Sequence, residues 1–202
     1  MEPQDLSSLE SVRLRYRAIK HPNMKLVLNV QDQILTSLRD FLRKDGFIEI
    51  LAPIIGPATD PGIRGAKQAS IQYYGAPFKI MSSMILYKQM MISSFEKIFA
   101  LSPNIRLEPV ESVKTARHLA EFRQVDLEMV YASYEDAMNL AERLLTSVVR
   151  DVRENCSEEV KRLGRELKEV YGPFRRLTHK QAVDLLRSNG YTVSYVEEIP
   201  WD

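Results

Sequence analysis

The sequence lacks the features that direct a protein to a membrane, a secretory pathway or a disulfide-stabilised fold. Cys156 is its one cysteine, so no internal disulfide can form. No apolar run approaches the length of a membrane span, and the N-terminus carries no signal-peptide core. The formal net charge of +1 gives no general attraction for nucleic acid or membranes. These absences predict a cytoplasmic protein with no membrane partner, whose 202 residues suffice for one buried core.

Several common kinds of catalytic and binding site are absent as well. The sequence contains neither a GxxxxGK[ST] nor a GxGxxG pattern, and no serine lies in a nucleophile elbow. The three histidines, His21, His118 and His179, are far apart and have no Cys or His partner at metal-binding spacing. No metal-ligating residue is therefore predicted. If the chain binds phosphate, arginines on a sheet must do so.

The stretch from 104 to 130 contains two runs with a period of two, NIRLE and FRQVDLEMV, joined by a polar loop. Such alternation is typical of strands with one face on a core, and two of them predict an antiparallel hairpin. A solvated outer face would explain its polar side, but the mixture of arginine, carboxylates and an amide suits a zwitterion or a phosphate. The shared face is predicted to carry Arg106, Glu108, Gln124, Asp126 and Glu128, with Arg117 and His118 in the loop above it.

Helices and short strands are predicted on both sides of the hairpin. Apolar residues at helical spacing, with Gly stops and Ser or Thr caps, predict helices over 27–45, from Ser82 or Ser83 to 95, and over 133–152, 157–170 and 178–190. Strands are predicted over 47–51 and 97–101, as a pair over 73–81, and as an exposed segment in 191–202. Residues 1–25 form a predicted N-terminal arm, and residues 26–202 a core in which 133–190 is a helical segment.

Three segments resemble class II aminoacyl-tRNA synthetases of the aspartyl/asparaginyl branch. SLRDFLRKDGFIEILAPI resembles their motif 1, and IRLEPVESVKTARHLAEFRQVDLEM resembles their motif 2. Between them, MSSMILYKQMMISSFEKIFALSP resembles the segment that carries a QSPQ-L-x-KQ pattern. Within this branch the chain resembles the archaeal asparagine synthetases related to asparaginyl-tRNA synthetase. The resemblance implies an α+β fold with a mostly antiparallel sheet flanked by helices.

The resemblance also implies roles for individual residues. Arg106 would be catalytic, holding the α-phosphate of ATP and the amino-acid carboxylate. Lys88 would pair with the side chain of aspartate. The ATP-binding residues would be Arg106, Glu108, Arg117, His118 and Phe122, and the amino-acid-binding residues Ser83, Lys88, Gln124 and Asp60. Mg²⁺ would accompany ATP, although no residue of this chain matches its ligands.

The sequence departs from the family pattern in three places. Ile85 stands where the family has the second glutamine of QSPQ. The loop TDPGIRGA lacks the usual glutamate–glycine pattern, so Asp60 is the candidate substitute. Nothing after Trp201 supplies motif 3 or the late carboxylates that hold Mg²⁺. The chain is therefore predicted to be an incomplete catalytic core.

Three functions are compatible with these features. The favoured one activates aspartate as an adenylate and uses ammonia to form asparagine, because only a short leader precedes motif 1. The first alternative is an aspartyl- or asparaginyl-tRNA synthetase, with tRNA contacted by the arginines of the leader. The second is a non-catalytic binding or regulatory module, which the missing motif 3 favours and the complete motif 2 opposes. A homodimer is expected in each case, with Leu35, Leu38, Phe41 and Pro53 in its interface.

Overall fold

The structure, a computed structural model, describes residues 15–60, 66–109, 118–197 and 199. The chain divides into two compact units, Met1–Glu169 and Val170–Asp202. The helices of the described residues are α1 (Arg15–Ile19), α2 (Pro22–Lys44), α3 (Ile85–Met91), α4 (Tyr134–Asn155), α5 (Ser157–Arg162) and α6 (His179–Ser188). The strands are β1 (Ile48–Glu49), β2 (Ile55–Gly56), β3 (Ser70–Tyr73), β4 (Ala76–Ile80), β5 (Lys97–Ile105) and β6 (Glu121–Met129). None of these helices is long and apolar enough to span a membrane.

The central sheet of the first unit has the strand order β1–β5–β6. Strand β1 runs parallel to β5, with Ile48 beside Ile98. Strand β6 runs antiparallel to β5 over nine residue pairs, from Lys97 with Met129 to Ile105 with Glu121. The antiparallel hairpin is confirmed, but the extent predicted for its first strand is wrong. The strand predicted over 97–101 and the run beginning at 104 form one continuous strand.

Pro103 lies inside β5, where the sequence predicts a break between two strands. The amide of Ile105 donates to the carbonyl of Met81, on the side away from β6. The carbonyl of Phe99 accepts from Ile50 on that same side. Backbone groups of alternate residues point the same way, so the missing N–H of Pro103 would also point away from β6. The β5–β6 ladder therefore loses no hydrogen bond at this proline.

The main core lies between one face of the central sheet and helices α2 and α4. Phe99 and Leu127 are paired across β5 and β6, so their side chains point to the same face. Leu38 is buried in this core and Phe41 packs partly buried against it, so Leu38 has little surface left for a dimer interface. The dimer interface expected at Leu35, Leu38, Phe41 and Pro53 stays a prediction. The core consists of Leu38, Leu42, Phe47, Phe99, Leu140 and Leu144, with Ile34, Phe41, Leu127, Met129 and Val148 packed against it.

A second sheet of the first unit has the order β2–β4–β3 and is antiparallel throughout. Strands β3 and β4 form a tight hairpin in which Tyr73 pairs with Ala76. Tyr74 (φ 49°) and Gly75 (φ 73°) adopt the left-handed conformations that a two-residue type I′ turn requires. The predicted strand pair is confirmed, although it begins at Ser70.

The ends of two long helices follow from their capping residues. Helix α2 begins at Pro22, earlier than the predicted start at 27, because the side chain of His21 accepts a backbone hydrogen bond of 3.2 Å there. Gly46 (φ 87°) follows the helix as predicted. Helix α4 begins at the serine cap predicted at 133, which forms a capping box because Ser133 and Asp136 exchange hydrogen bonds.

Three predicted elements are wrong in extent or in kind. Helix α3 spans Ile85–Met91, so the predicted start at Ser82 or Ser83 and the predicted end at 95 are both wrong. Helix α5 ends at Arg162 rather than at 170, and Gly164 (φ 69°) adopts a left-handed conformation just after it. The strand predicted in 191–202 is not formed by residues 191–197.

The second unit contains α6, which begins at the predicted threonine cap, where Thr178 and Gln181 form a capping box. Val183 and Val193 are buried. The guanidinium of Arg187 donates hydrogen bonds of 2.8 and 2.7 Å to the carbonyl of Val193. This double hydrogen bond holds the segment after the helix against α6.

Asp45 connects the C-terminal end of α2 to β5 and α4 through ion pairs. Its carboxylate lies 2.9 Å from the guanidinium of Arg143 and 3.5 Å from the ammonium of Lys97. The hydrogen bond from Arg143 holds the pKa of Asp45 below its ordinary value of 3.8, against the opposing effect of burial. Since the folded-state pKa is lowered, this stabilisation is present above the unfolded-state pKa and is lost as the pH falls through the folded value.

We therefore expect Asp45→Asn to lower the free energy of unfolding by about 1 kcal/mol at pH 7. The loss should shrink below a pH of roughly 4 and vanish once the carboxyl is protonated in both states. Urea unfolding over this pH range measures the difference, and Asp40→Asn at an exposed position of the same helix is the control. A difference that does not change with pH would contradict the role of the ion pairs.

Candidate active site

The face of the central sheet opposite the core carries a row of polar side chains. Even-numbered residues of β5 and β6 lie on this face, because the odd-numbered ones face the core. The common face predicted for Gln124, Asp126 and Glu128 is therefore confirmed. The row consists of Ser102, Asn104, Gln124, Asp126 and Glu128. Phe122 lies beside it on the same face, and Arg106 follows the end of β5.

Arg106 contacts Phe122 across the strand pair. Its guanidinium carbon lies 5.1 Å from the centroid of the Phe122 ring. Its Nε donates a hydrogen bond of 3.2 Å to the carbonyl of Ser82. The two contacts orient a planar guanidinium, the group that binds a carboxylate or a phosphate with two parallel hydrogen bonds.

The segment that orients Arg106 is itself tied to the loop after β2. Ser82 is completely buried, and its hydroxyl donates a hydrogen bond of 3.0 Å to the carbonyl of Asp60. The hydroxyl of Thr59 lies 3.2 Å from that of Ser82 and donates to the carbonyl of Ser83 at 3.1 Å. The position of Asp60 is thereby coupled to the position of the Arg106 guanidinium.

Lys88 of α3 forms ion pairs with two carboxylates of β6. Its Nζ lies 3.4 Å from Oδ1 of Asp126 and 3.4 Å from Oε2 of Glu128. The side chain of Asp126 is 7% exposed and that of Glu128 is 26% exposed. Two carboxylates and one ammonium leave this cluster with one net negative charge. The resemblance implies a substrate carboxylate as the partner of Lys88, whereas both partners in the structure belong to the chain.

Ser102 and Asn104 are the completely buried members of this row. The hydroxyl of Ser102 donates to Oδ2 of Asp126. The Nδ2 group of Asn104 lies 3.2 Å from Oε1 of Gln124 and 3.3 Å from both the carbonyl and the hydroxyl oxygen of Ser102. Buried polar side chains of the neighbouring strand β5 therefore hold Asp126 and Gln124 of β6 in position.

The other predicted site residues lie at the margins of this face. The hydroxyl of Ser83 accepts a backbone hydrogen bond of 3.2 Å at the start of α3. Glu108 is half-buried, and His118 is exposed shortly before β6. Arg117 lies outside the described residues. The binding roles implied for these four residues stay predictions.

Sequence reasoning missed most of the buried polar residues that support the site. Ser102 and Asn104 precede Arg106 at intervals of two, so the alternation that placed Arg106 on the polar face could have included them. Asn104 stands in the predicted run NIRLE but was given no role, and the break predicted before 104 excluded Ser102. Thr59 carries no comparable local signal, because its contact with Ser82 spans 23 residues of sequence.

The described ranges contain no group of three or more His, Cys, Asp or Glu side chains that could hold a metal ion. Asp126 and Glu128 are both engaged by Lys88. By themselves these residues do not fit the oxygen-rich coordination of the Mg²⁺ ion that the resemblance implies.

The polar row and the residues beside it combine groups with different binding properties. Arg106 can pair with a phosphate, and Phe122 offers an aromatic ring on which a planar base can stack. Lys88, Asp126 and Gln124 add charged and amide groups suited to an amino acid. These groups are chemically suited to a phosphate, a planar base and an amino acid.

The chain is similar to known proteins over nearly its whole length. A sequence model of the family described as tRNA synthetases class II (D, K and N) matches residues 8–197. The aspartate–tRNA(Asp/Asn) ligase of Sulfurisphaera tokodaii is 37% identical over 190 residues, which are 93% of this chain and 43% of that protein. The corresponding ligase of Methanopyrus kandleri is 35% identical over 185 residues, which are 90% of this chain and 42% of that protein. The chain thus spans less than half the length of these curated relatives.

Solved structures agree with this assignment. The asparaginyl-tRNA synthetase from Pyrococcus horikoshii complexed with asparaginyl-adenylate matches with a TM-score of 0.82 and 28% identity, over 95% of this chain and 44% of that chain. The Entamoeba histolytica asparaginyl-tRNA synthetase in complex with asparaginyl-adenylate matches with a TM-score of 0.81 and 26% identity, over 96% of this chain and 43% of that chain. The predicted class II fold, with sheets flanked by helices, is confirmed. From its sequence and its fold, this chain belongs to the class II tRNA synthetases of the D, K and N group.

Proposed function

We propose that this chain is part of an ATP-dependent ligase that activates aspartate as an aminoacyl-adenylate and passes it to tRNA. The observation that carries the proposal is the sheet face of Arg106 and Phe122, whose carboxylates are ion-paired to Lys88 of α3, in a chain of this family. Relatives that are aspartate–tRNA ligases support aspartate as the substrate and tRNA as the partner. The matching structures hold asparaginyl-adenylate, which supports the adenylate chemistry.

This proposal replaces the tRNA-independent asparagine synthesis that the sequence favoured. That preference depended on the short leader before motif 1. Because the chain spans 43% of a curated relative, its first residues carry no information about what precedes motif 1 in the native protein. The relatives described above are tRNA ligases, and none of them supports ammonia as the acceptor.

Arg106 would act at the centre of the reaction. An aspartate carboxylate attacks the α-phosphorus of ATP and pyrophosphate leaves, so negative charge develops on the α-phosphate oxygens. A guanidinium already oriented by Phe122 and Ser82 can stabilise that charge without further reorganisation. The attacking group belongs to the substrate, so the chain contributes positioning and electrostatic stabilisation and no nucleophile.

The Lys88 cluster would bind the amino-acid end of the substrate. Asp126 is held by both Lys88 and Ser102, whereas Glu128 is more exposed and has only the Lys88 contact among the described residues. A substrate carboxylate can therefore take the place of Glu128 at Lys88 while Asp126 keeps its position. The net negative charge of the cluster would favour the substrate ammonium nearby.

The native protein should catalyse aspartate-dependent exchange of pyrophosphate into ATP and should charge tRNA with aspartate. Both reactions can be followed with radiolabelled pyrophosphate and aspartate. If pyrophosphate exchange occurs with asparagine and not with aspartate, asparagine replaces aspartate as the proposed substrate. Free asparagine formed from aspartate, ATP and ammonium without tRNA would favour the synthetase that uses ammonia. If no amino acid supports exchange, the proposed adenylate chemistry is wrong.

Replacing Arg106 should weaken nucleotide binding. We expect Arg106→Ala to raise the Kd for ATP by roughly tenfold to a hundredfold, since a charge-assisted hydrogen bond contributes about 1.5–3 kcal/mol. Phe122→Ala should weaken ATP binding less, through the loss of stacking. Isothermal titration calorimetry measures both, and Arg123→Ala on the opposite face of β6 is the matched control. Wild-type affinity in both site variants would refute the assignment.

We also propose that the protein forms a homodimer through the segment between β1 and β2. Leu51 is 96% exposed and Ile54 is 59% exposed, and such neighbouring apolar side chains are typical of an interface. Leu51→Asp should therefore convert the dimer to a folded monomer, measured by light scattering at micromolar concentration. Val196→Asp, at a comparably exposed apolar position of the second unit, is the control. A monomeric wild type would contradict the proposed dimer.

A further inference from the structure

The hydrogen bonds of Asn104 have a defined direction. The carbonyl oxygen of Ser102 can only accept, so the end of the Asn104 amide that faces it at 3.3 Å is the Nδ2 donor. The hydroxyl of Ser102 gives its hydrogen to Asp126, so it too can only accept from Asn104. Two acceptors therefore fix the orientation of the buried amide.

The orientation of Asn104 determines that of Gln124. Nδ2 of Asn104 donates to Gln124 at 3.2 Å, so the atom of Gln124 that faces inward is the acceptor Oε1. The NH₂ group of Gln124 is then directed away from the buried side, and the residue is exposed. Within the parts of the chain that the structure describes, this NH₂ group donates no hydrogen bond to protein. Gln124 thus presents hydrogen-bond donors on the site face.

Oδ1 of Asn104 is the end of the amide that stays unpaired in this orientation. It is buried and has no hydrogen-bond partner among the described residues. A buried acceptor without a partner costs free energy. Turning the amide round would not remove this cost, because an oxygen would then face the carbonyl and the hydroxyl acceptors of Ser102. The present orientation keeps the larger number of hydrogen bonds.

The place of Gln124 along β6 indicates what its donors would meet. It lies between Phe122, at the end where Arg106 would hold the phosphate, and Asp126, in the cluster that would hold the amino acid. In an adenylate-forming reaction, the carboxylate that attacks phosphorus lies between these two ends. An outward NH₂ group at this point can donate to a carboxylate oxygen, whereas an outward amide oxygen would repel it.

We propose that Asn104 is a positioning residue, which fixes the Gln124 amide with its NH₂ group outward so that Gln124 donates to a carboxylate oxygen of the amino-acid substrate. The inference rests on the proposed activation of an amino acid, and it assigns the orientation on which recognition of the reacting carboxylate depends. Asn104 itself is completely buried, so it acts only through Gln124.

The variant Gln124→Glu tests whether the NH₂ group of Gln124 donates to the substrate. The glutamate can still accept from Asn104, but it presents an oxygen outward in place of the NH₂ group. The KM for aspartate in pyrophosphate exchange should rise roughly tenfold to a hundredfold, because the loss of one charge-assisted hydrogen bond weakens binding by about that factor. The KM for ATP should stay unchanged. Gln72→Glu, at an exposed position of β3 in the other sheet, adds the same charge and is the control.

A substitution of Asn104 tests the positioning. A buried aspartate at this position would face the oxygens of Ser102 and would be favoured in its protonated form, so Asn104→Leu is the sharper variant. Leucine has a similar size and no donor, so Gln124 loses the hydrogen bond that fixes its amide. The KM for aspartate should again rise, with the KM for ATP unchanged, although Gln124 is still present. Thermal unfolding reports whether this buried substitution leaves the protein folded. If it does not fold, the smaller Asn104→Ala, which also removes the donor, decides by the same two KM values.

A nuclear magnetic resonance titration of the wild type separates this inference from the proposed function, because it requires no turnover. Adding aspartate should shift the side-chain NH₂ resonances of Gln124. A shift without pyrophosphate exchange would contradict the proposed function alone. Pyrophosphate exchange with an unchanged KM for aspartate in Gln124→Glu would overturn the inference alone. Gln124 resonances that do not respond to aspartate would also overturn it.

Discussion

The pairing of β5 with β6 determines both the core and the candidate site of the first unit. Side chains alternate between the two faces of a strand pair, so this register sends Phe99 and Leu127 to the core and Asn104 and Gln124 to the site. If one strand slipped by one residue, its polar side chains would face helices α2 and α4 instead of the site. Burial of a side chain such as Phe99 contributes roughly 1.5–3 kcal/mol, which is available only in the observed register. The apolar core therefore holds the polar face in place.

Buried polar residues then convert a row of side chains into an oriented site. Ser82 holds Arg106 through its carbonyl, and Ser102 holds Asp126 through its hydroxyl. Asn104 holds Gln124. Ser82, Ser102 and Asn104 are completely buried, so water is excluded from them and their hydrogen bonds are electrostatically stronger. The side chains of the site are thus oriented before any ligand binds, as electrostatic catalysis requires.

Strong local signals made the long elements and the polar face predictable from the sequence. The capping box of Ser133 with Asp136 located the start of α4, and the alternation from Gln124 to Glu128 located one side of β6. The extent of β5 was not predictable from proline content alone, because Pro103 lies where its missing N–H would face away from β6. The early end of α5 near Gly164 escaped the apolar periodicity for a similar reason, since a backbone conformation decided it.

Partners distant in sequence were beyond the reach of local patterns. The resemblance made Lys88 a candidate for substrate binding, yet its ion pairs with Asp126 and Glu128 depend on how α3 packs against β6. Likewise, Thr59 joins the support of the site only because the loop after β2 reaches Ser82. Such contacts arise from tertiary packing, which outweighs local preference in both helices and strands.

A crystal structure of the native protein with a non-hydrolysable aspartyl-adenylate analogue tests the central claim most directly. The account predicts the adenine ring against Phe122, the phosphate-replacing group at Arg106, and the aspartyl end beside Gln124 and Lys88 on the polar face of β5 and β6. An analogue bound elsewhere, with this face empty, would contradict the account.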